Sequence, residues 1–159
     1  MLDDLYDRDS LAWSEHQASL LRRVARGERV NEVDWEHVIE EIEDVGLSEL
    51  HSVESHLELI LVHILKLRTW PDVDPANHWR AELVSFQSNA ARRFAPSMLQ
   101  RIDLASAYRS AVKQVTLLNN GNQPVSTPDD CPFTVDQLLH DDCAALEQRL
   151  SSASPGARN

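Results

Sequence analysis

The fold is decided by one long amphipathic segment, which reads over residues 34–67 DWEHVIEEIEDVGLSELHSVESHLELILVHILKL. At about 100° per residue, its apolar side chains fall on one arc of a helix. This arc comprises Trp35, Val38, Ile39, Ile42, Val45, Leu50, Val53, Leu57, Ile60, Ile64 and Leu67. Asp34 suits the N-cap, because its carboxylate can accept an amide hydrogen from the first turn. The pattern predicts one long helix that ends by Trp70-Pro71. Gly46 either bends it or divides it into two helices nearly in line.

Two shorter helices are predicted on either side of this segment. Asp9 or Ser10 can cap a helix that runs to about Ala25. After the loop at residues 71–75, apolar residues recur at helical spacing from Trp79 to Phe94, which predicts another helix.

Two capping boxes predict the remaining helices. Ser97 is followed three residues later by Gln100, a spacing that favours a helix start there. Thr134 and Gln137 have the same spacing and predict a last helix that ends at about Leu150.

The composition indicates an all-α protein. A chain of 159 residues is long enough for one domain. Its low glycine content, four residues, disfavours a turn-rich β sandwich. We therefore expect a single compact bundle of about four to six helices over residues 1–150, with a disordered tail at 151–159.

The longest apolar run is too short and too polar to span a membrane. No basic and apolar secretory signal is visible, so a cytoplasmic location is expected.

The negative charge is concentrated in the long segment. Ten of the 26 acidic residues lie between Val30 and Leu65, where no lysine or arginine occurs, and the net charge of the chain is −11. Direct binding of nucleic acid is therefore disfavoured, because phosphates require a basic surface. We therefore expect this acidic face to bind a basic protein partner or a second copy of this chain. Electrostatic attraction to a basic partner would weaken as the salt concentration rises. The candidate surface residues are Glu36, Glu40, Glu41, Glu43, Asp44, Glu54 and Glu58.

The preceding helix offers an internal alternative. Arg22, Arg23, Arg26 and Arg29 lie near its end and are the nearest cations in sequence to these carboxylates. An acidic face that imitates nucleic acid, and so occupies a nucleic-acid-binding protein, is a further hypothesis.

A metal site is the main alternative function. Glu49, His56 and His63 are spaced seven residues apart and form one column at the edge of the apolar arc. Carboxylate and imidazole both bind zinc or iron. However, seven helical residues rise about 10.5 Å, so a metal would need donors from another helix, such as Glu82 or Asp103. His37 and His51 lie roughly opposite the arc and are interpreted as solvated polar residues.

Known catalytic patterns are missing from the sequence. It contains no nucleophile elbow, phosphate loop, dinucleotide fingerprint or metalloprotease His-Glu-x-x-His, and no Glu-x-x-His of the ferritin-like kind. No cofactor is therefore expected, and a non-enzymatic role is favoured.

Several landmarks together resemble a bacterial family known as domain of unknown function twenty-nine. They are Tyr6-Asp7-x-Asp9, Trp13, Asp34-Trp35, Glu40-Glu41-Ile42-Glu43, Gly46, His63-x-Leu65-Lys66, Trp79, Tyr108, Cys131-Pro132-Phe133-Thr134 and Gln137-Leu138-Leu139. The resemblance covers roughly residues 4–140. It implies an all-helical fold and no known activity.

Overall fold

The computed structural model describes residues 3–121 and 127–153. In these ranges the chain forms seven α-helices and one short 3-10 helix at Pro96–Met98, with no strand. The α-helices are α1 (Asp3–Arg8), α2 (Ser10–Ala25), α3 (Trp35–Thr69), α4 (Ala76–Arg93), α5 (Leu104–Leu118), α6 (Val135–His140) and α7 (Cys143–Ala153). The predicted all-α class is confirmed, although the described residues contain more helices than the four to six expected.

The long helix predicted from the apolar pattern is confirmed as α3. It continues through Gly46, so the chain is not divided into two helices there. The predicted arc is only partly a core face, however. It is buried at Leu50, Val53 and Leu57, whereas Ile39 and Ile42 nearer the N-terminus are exposed.

The chain divides into two compact units, Met1–Leu47 (unit 1) and Ser48–Asn159 (unit 2). Unit 1 contains α1, α2 and the first part of α3, around a small core of Trp13, Leu20, Val33 and Val38. Asp9 caps α2 as predicted, since its side chain accepts the Ala12 amide at 3.0 Å. The prediction of one domain over residues 1–150 stays a prediction.

Unit 2 has the larger core, built on the second part of α3. Val53, Leu57, Ile60, Leu61 and Ile64 are fully buried there, together with residues of α4 to α7. Beside this core, the buried amide of Gln87 on α4 donates to the carbonyl oxygens of Leu138 at 2.9 Å and Asp141 at 2.8 Å. These two bonds tie α4 to the end of α6.

Two predicted helix starts had different outcomes. The capping box of Thr134 and Gln137 is present and begins α6. The box predicted at Ser97 and Gln100 was wrong. A 3-10 helix occupies Pro96–Met98, and α5 begins only after Asp103, whose side chain accepts the Ser106 amide at 2.9 Å.

The C-terminal prediction also needs correction. The expected single helix to Leu150 is two helices, because Asp141 is extended after α6 and Asp142 accepts the Ala145 amide at 2.8 Å to begin α7. Helix α7 continues to Ala153, into the predicted tail, and residues 154–159 lie outside the described ranges. Among the described residues, no helix combines the length and apolarity that crossing a membrane requires.

Candidate functional site

The first part of α3 carries an exposed row of acidic side chains. Four of them, which we call the α3 acidic surface, are Glu36, Glu40, Glu43 and Asp44, and all are exposed. Within unit 1, ion pairs join Arg23 and Arg26 to Glu28, and His37 to Asp34. The predicted internal partnership with the arginines at the end of α2 is therefore not made by Arg23 or Arg26, which turn back to Glu28.

Glu41, the fifth predicted carboxylate of this part of α3, has an internal role. It accepts a 2.8 Å hydrogen bond from the hydroxyl of Tyr6 on α1. This bond and the nearby carboxylates raise the pKa of Tyr6 to about 12, because they disfavour the negative phenolate. Glu41 thus links α3 to α1 through this hydrogen bond, so we do not include it in the α3 acidic surface.

The aromatic ring of Tyr6 also packs against two other rings. The ring of Tyr6 stacks on His37, with 4.0 Å between centroids, and meets the edge of Trp13 at 4.9 Å. Tyr6, Trp13 and His37 come from three different helices of unit 1. Their packing fixes the rotation of the first turns of α3 and so fixes which side chains that helix exposes.

Asp34 joins the same cluster at the N-terminus of α3. Its carboxylate accepts from the indole nitrogen of Trp13 at 3.1 Å and contacts His37 Nδ1 at 2.7 Å, and its amide donates to the buried Gln17 at 2.9 Å. Burial opposes ionisation of Asp34, yet the hydrogen bonds from His37 and Trp13 outweigh it and lower the pKa of Asp34. The interpretation of His37 as a solvated residue was wrong, because it is half-buried and bonded to Asp34.

Beside the acidic surface lies an exposed row of large apolar side chains. Trp35 is 52% exposed, Ile39 53%, Ile42 68% and Val45 68%, and we call these four the apolar stripe. Val38, in the same stretch of α3, is only 7% exposed because it belongs to the core of unit 1. The sequence pattern had placed all five residues on one core-facing arc.

The other two predicted surface carboxylates, Glu54 and Glu58, lie in unit 2 and are half-buried. Glu58 accepts a hydrogen bond from Ser110 of α5 at 2.8 Å and another from Gln114. Both glutamates line a cavity of about 460 Å³ together with His51 and Asp103. Glu58 is thus engaged within unit 2 rather than free to meet a partner.

The structure separates the three residues predicted to bind metal. Glu49 accepts from Arg93 at 2.9 Å, and His56 Nδ1 lies 2.6 Å from the Ser52 carbonyl oxygen, one turn earlier on α3. Of the three, only His63 contacts a side chain of another helix that could itself ligate a metal, Glu82 of α4, at 2.9 Å. Across the described ranges, no group of three or more His, Cys, Asp or Glu side chains is placed to hold a metal ion. A metal site at Glu49, His56 and His63 stays a prediction.

The surroundings of His63 contain a second cluster that the sequence did not reveal. The ammonium of Lys66 lies 4.3 Å from the ring centroid of Trp79, and Glu82 also contacts His78 at 3.3 Å. Burial lowers the pKa of Lys66, an effect that Glu82 partly opposes. The hydrogen bond from His63 lowers the pKa of Glu82 against the effect of burial, and the neighbouring cations add to this.

Comparison with known proteins places the chain in a family. A family model described as "Domain of unknown function DUF29" matches residues 5–144. A crystal structure from Rhodospirillum rubrum, described as an alpha-helical protein of unknown function, is 30% identical in sequence. The match covers 91% of this chain and 96% of that one, with a TM-score of 0.69. No curated protein matches the chain. Because the family model covers most of the sequence, the protein belongs to the DUF29 family.

Proposed function

We propose that this protein is a non-enzymatic interaction module that binds a basic protein through the α3 acidic surface. The observation that carries the proposal is the exposure of Glu36, Glu40, Glu43 and Asp44 on one helical segment. None of the four takes part in the ion pairs of unit 1 described above. Such a concentration of one sign of charge attracts a partner of the opposite sign and accelerates its association.

The surrounding structure supports a binding surface rather than a catalytic site. The ring contacts of Tyr6 with Trp13 and His37 join the start of α3 to α1 and α2, which suits a surface that is formed before its partner arrives. The carboxylates are exposed on one helical segment, and none of the four lines the cavity of about 460 Å³ in unit 2. We place this role in the bacterial cytoplasm. The source of the related crystal structure, Rhodospirillum rubrum, supports the bacterial part of this assignment.

Two variants with the same total charge test the proposal. The first, the surface variant, carries Glu36→Gln, Glu40→Gln, Glu43→Gln and Asp44→Asn. The second, the charge control, neutralises four exposed carboxylates of unit 2 through Asp72→Asn, Asp74→Asn, Asp129→Asn and Asp130→Asn. Both raise the net charge equally, so a difference between them reports the position of the charge.

Each protein is immobilised and used to recover partners from the source bacterium at increasing sodium chloride. We expect at least one basic protein to bind the wild type and the charge control, to be lost with the surface variant, and to be released as salt increases. Equal recovery of every protein by all three forms would refute the proposal. If the recovered protein binds nucleic acid and DNA or RNA displaces it, the module acts as a nucleic-acid mimic.

A further inference from the structure

The apolar stripe gives the α3 acidic surface a second property that charge alone does not explain. Trp35, Ile39, Ile42 and Val45 follow the i, i+4, i+7, i+10 spacing of one helical face, and each is more than half exposed. Together they form a contiguous apolar row about 15 Å long, or three helical turns. Large exposed apolar patches bordered by polar residues mark interaction sites in soluble proteins.

The core of unit 1 does not use this row. Val38, together with Trp13, Leu20 and Val33, fills that core, and the bonds from Glu41 to Tyr6 and from His37 to Asp34 secure the same side of α3. Val38 lies on the same arc of α3 as the stripe, but none of the four stripe side chains belongs to that core or packs against it. The stripe side chains are therefore available to a partner without any rearrangement of the packing in unit 1.

The charges beside the stripe define the partner. At about 100° per residue, Glu36, Glu40 and Glu43 fall together along one flank of the stripe. A binding partner must bury apolar side chains against the stripe and place cations opposite this flank. An amphipathic helix with lysine or arginine along one edge of its apolar face satisfies both requirements, and helix-in-groove recognition uses the same spacing of anchors.

We propose that the apolar stripe binds a basic amphipathic helix of about three turns from a partner protein. This inference rests on the proposed function, because it names the kind of basic partner that the α3 acidic surface receives. A second copy of this chain fits less well. An antiparallel two-fold contact through the stripe would bring Glu36, Glu40 and Glu43 of both copies together, and like charges in close contact oppose association.

A synthetic peptide of leucine and lysine in amphipathic helical order is the probe. A peptide of the same composition in scrambled order keeps the charge and removes the apolar face. We expect the ordered peptide to bind and to shift the fluorescence of the exposed Trp35 to shorter wavelength, since binding removes its indole from water. The scrambled peptide should bind more weakly by about tenfold or more.

Substitutions then separate the two proposals. Ile39→Ser with Ile42→Ser removes the centre of the stripe, and Val84→Ser with Leu117→Ser is the matched control at exposed apolar positions of unit 2. We expect the stripe variant to lose about tenfold or more in affinity for the ordered peptide and the control to bind like the wild type. Circular dichroism of each variant verifies that the helices are retained.

Three outcomes distinguish failure of the amphipathic-helix inference from failure of the proposed function. If the stripe variant binds the ordered peptide like the wild type while the surface variant loses it, the amphipathic-helix inference fails and the proposed function stands. If the stripe variant and the surface variant both bind like the wild type, both proposals fail. If sedimentation shows a wild-type dimer that the stripe variant abolishes, the occupant of the stripe is a second copy and the inference is overturned.

Discussion

The Nε2 atom of His63 on α3 lies 2.9 Å from Oε2 of Glu82 on α4, while its Nδ1 atom lies 2.8 Å from the Leu59 carbonyl oxygen. Both ring nitrogens thus face acceptors, and two good hydrogen bonds need a hydrogen on each nitrogen. This buried ring links two helices of unit 2 and packs edge-on against Phe86 at 5.1 Å between centroids.

Replacing His63 tests the strength of this link. His63→Leu keeps a similar volume but removes both hydrogen bonds, so we expect the free energy of unfolding to fall by about 1–3 kcal/mol in chemical denaturation. His78→Leu is the matched control, because His78 contacts the same carboxylate but its side chain is 71% exposed. That change should stay within about 0.5 kcal/mol of the wild type. Equal losses from both substitutions would contradict the assigned role of His63.

Ionisation of Glu82 makes the stability of unit 2 depend on pH in the acidic range. The hydrogen bond from His63 lowers the pKa of Glu82 in the folded protein, so below the ordinary carboxyl pKa the unfolded chain binds more protons. The stabilisation is complete above the unfolded pKa of about 4.3 and is lost as pH falls through the folded pKa. In denaturation measured from pH 7 downwards, the stability difference between wild type and Glu82→Gln should shrink below about pH 4.3. A constant difference across that range would refute this assignment.

His37 in unit 1 has the opposite pH dependence. The hydrogen bond to Asp34 raises the pKa of His37, against a smaller effect of desolvation. Its stabilising effect is therefore complete below the unfolded pKa of about 6.5 and is lost as pH rises through the folded pKa. Nuclear magnetic resonance titration of the imidazole should show the raised pKa, and Asp34→Asn should lower it. The His37→Gln spectrum identifies the signal, and an unchanged pKa in Asp34→Asn would show that Asp34 is not the cause.

The bond between Tyr6 and Glu41 is testable by alkaline titration. The pKa of Tyr6 is about 12 because its hydroxyl donates to the Glu41 carboxylate. Glu41→Gln removes the negative charge, so the Tyr6 pKa should fall towards its usual value of about 10. The difference in near-ultraviolet absorbance between each protein and its Tyr6→Phe form isolates Tyr6 from Tyr108. A Tyr6 pKa that stays near 12 in Glu41→Gln would rule out this bond as the main cause.

Periodicity predicted α3 well because thirty-five residues of one helix repeat the same signal many times. Short capping patterns were less reliable. The Ser97 and Gln100 spacing fits a helix start, but Asp103 forms the cap that begins α5, and sequence spacing does not reveal which of two nearby caps tertiary packing selects. The break at Asp142 was missed for the same reason.

The candidate site was predicted in part. The carboxylates of the α3 acidic surface were named from charge, and Glu82 was named as a donor that could reach the histidine column. The exposure of Ile39 and Ile42 was not foreseen, because an apolar arc has the same appearance in sequence whether a core or a partner covers it. Nor does sequence distance indicate that Tyr6 meets Glu41, since that contact depends on how α1 packs in unit 1.

Because α3 continues through Gly46, we predict that this glycine lowers the stability of the helix and that the helix backbone does not require glycine there. Gly46 lies within the helix, and apart from its chain neighbours and the backbone of α3 itself, an added methyl group there would meet no atom within 4 Å. Because alanine loses less conformational freedom on folding, Gly46→Ala should raise the free energy of unfolding by about 0.5–1 kcal/mol. Gly27 provides the contrast, since its φ of 84° at the end of α2 suits glycine and Gly27→Ala should destabilise the protein. A destabilised Gly46→Ala protein in chemical denaturation would show that the helix needs the flexibility of glycine at this position.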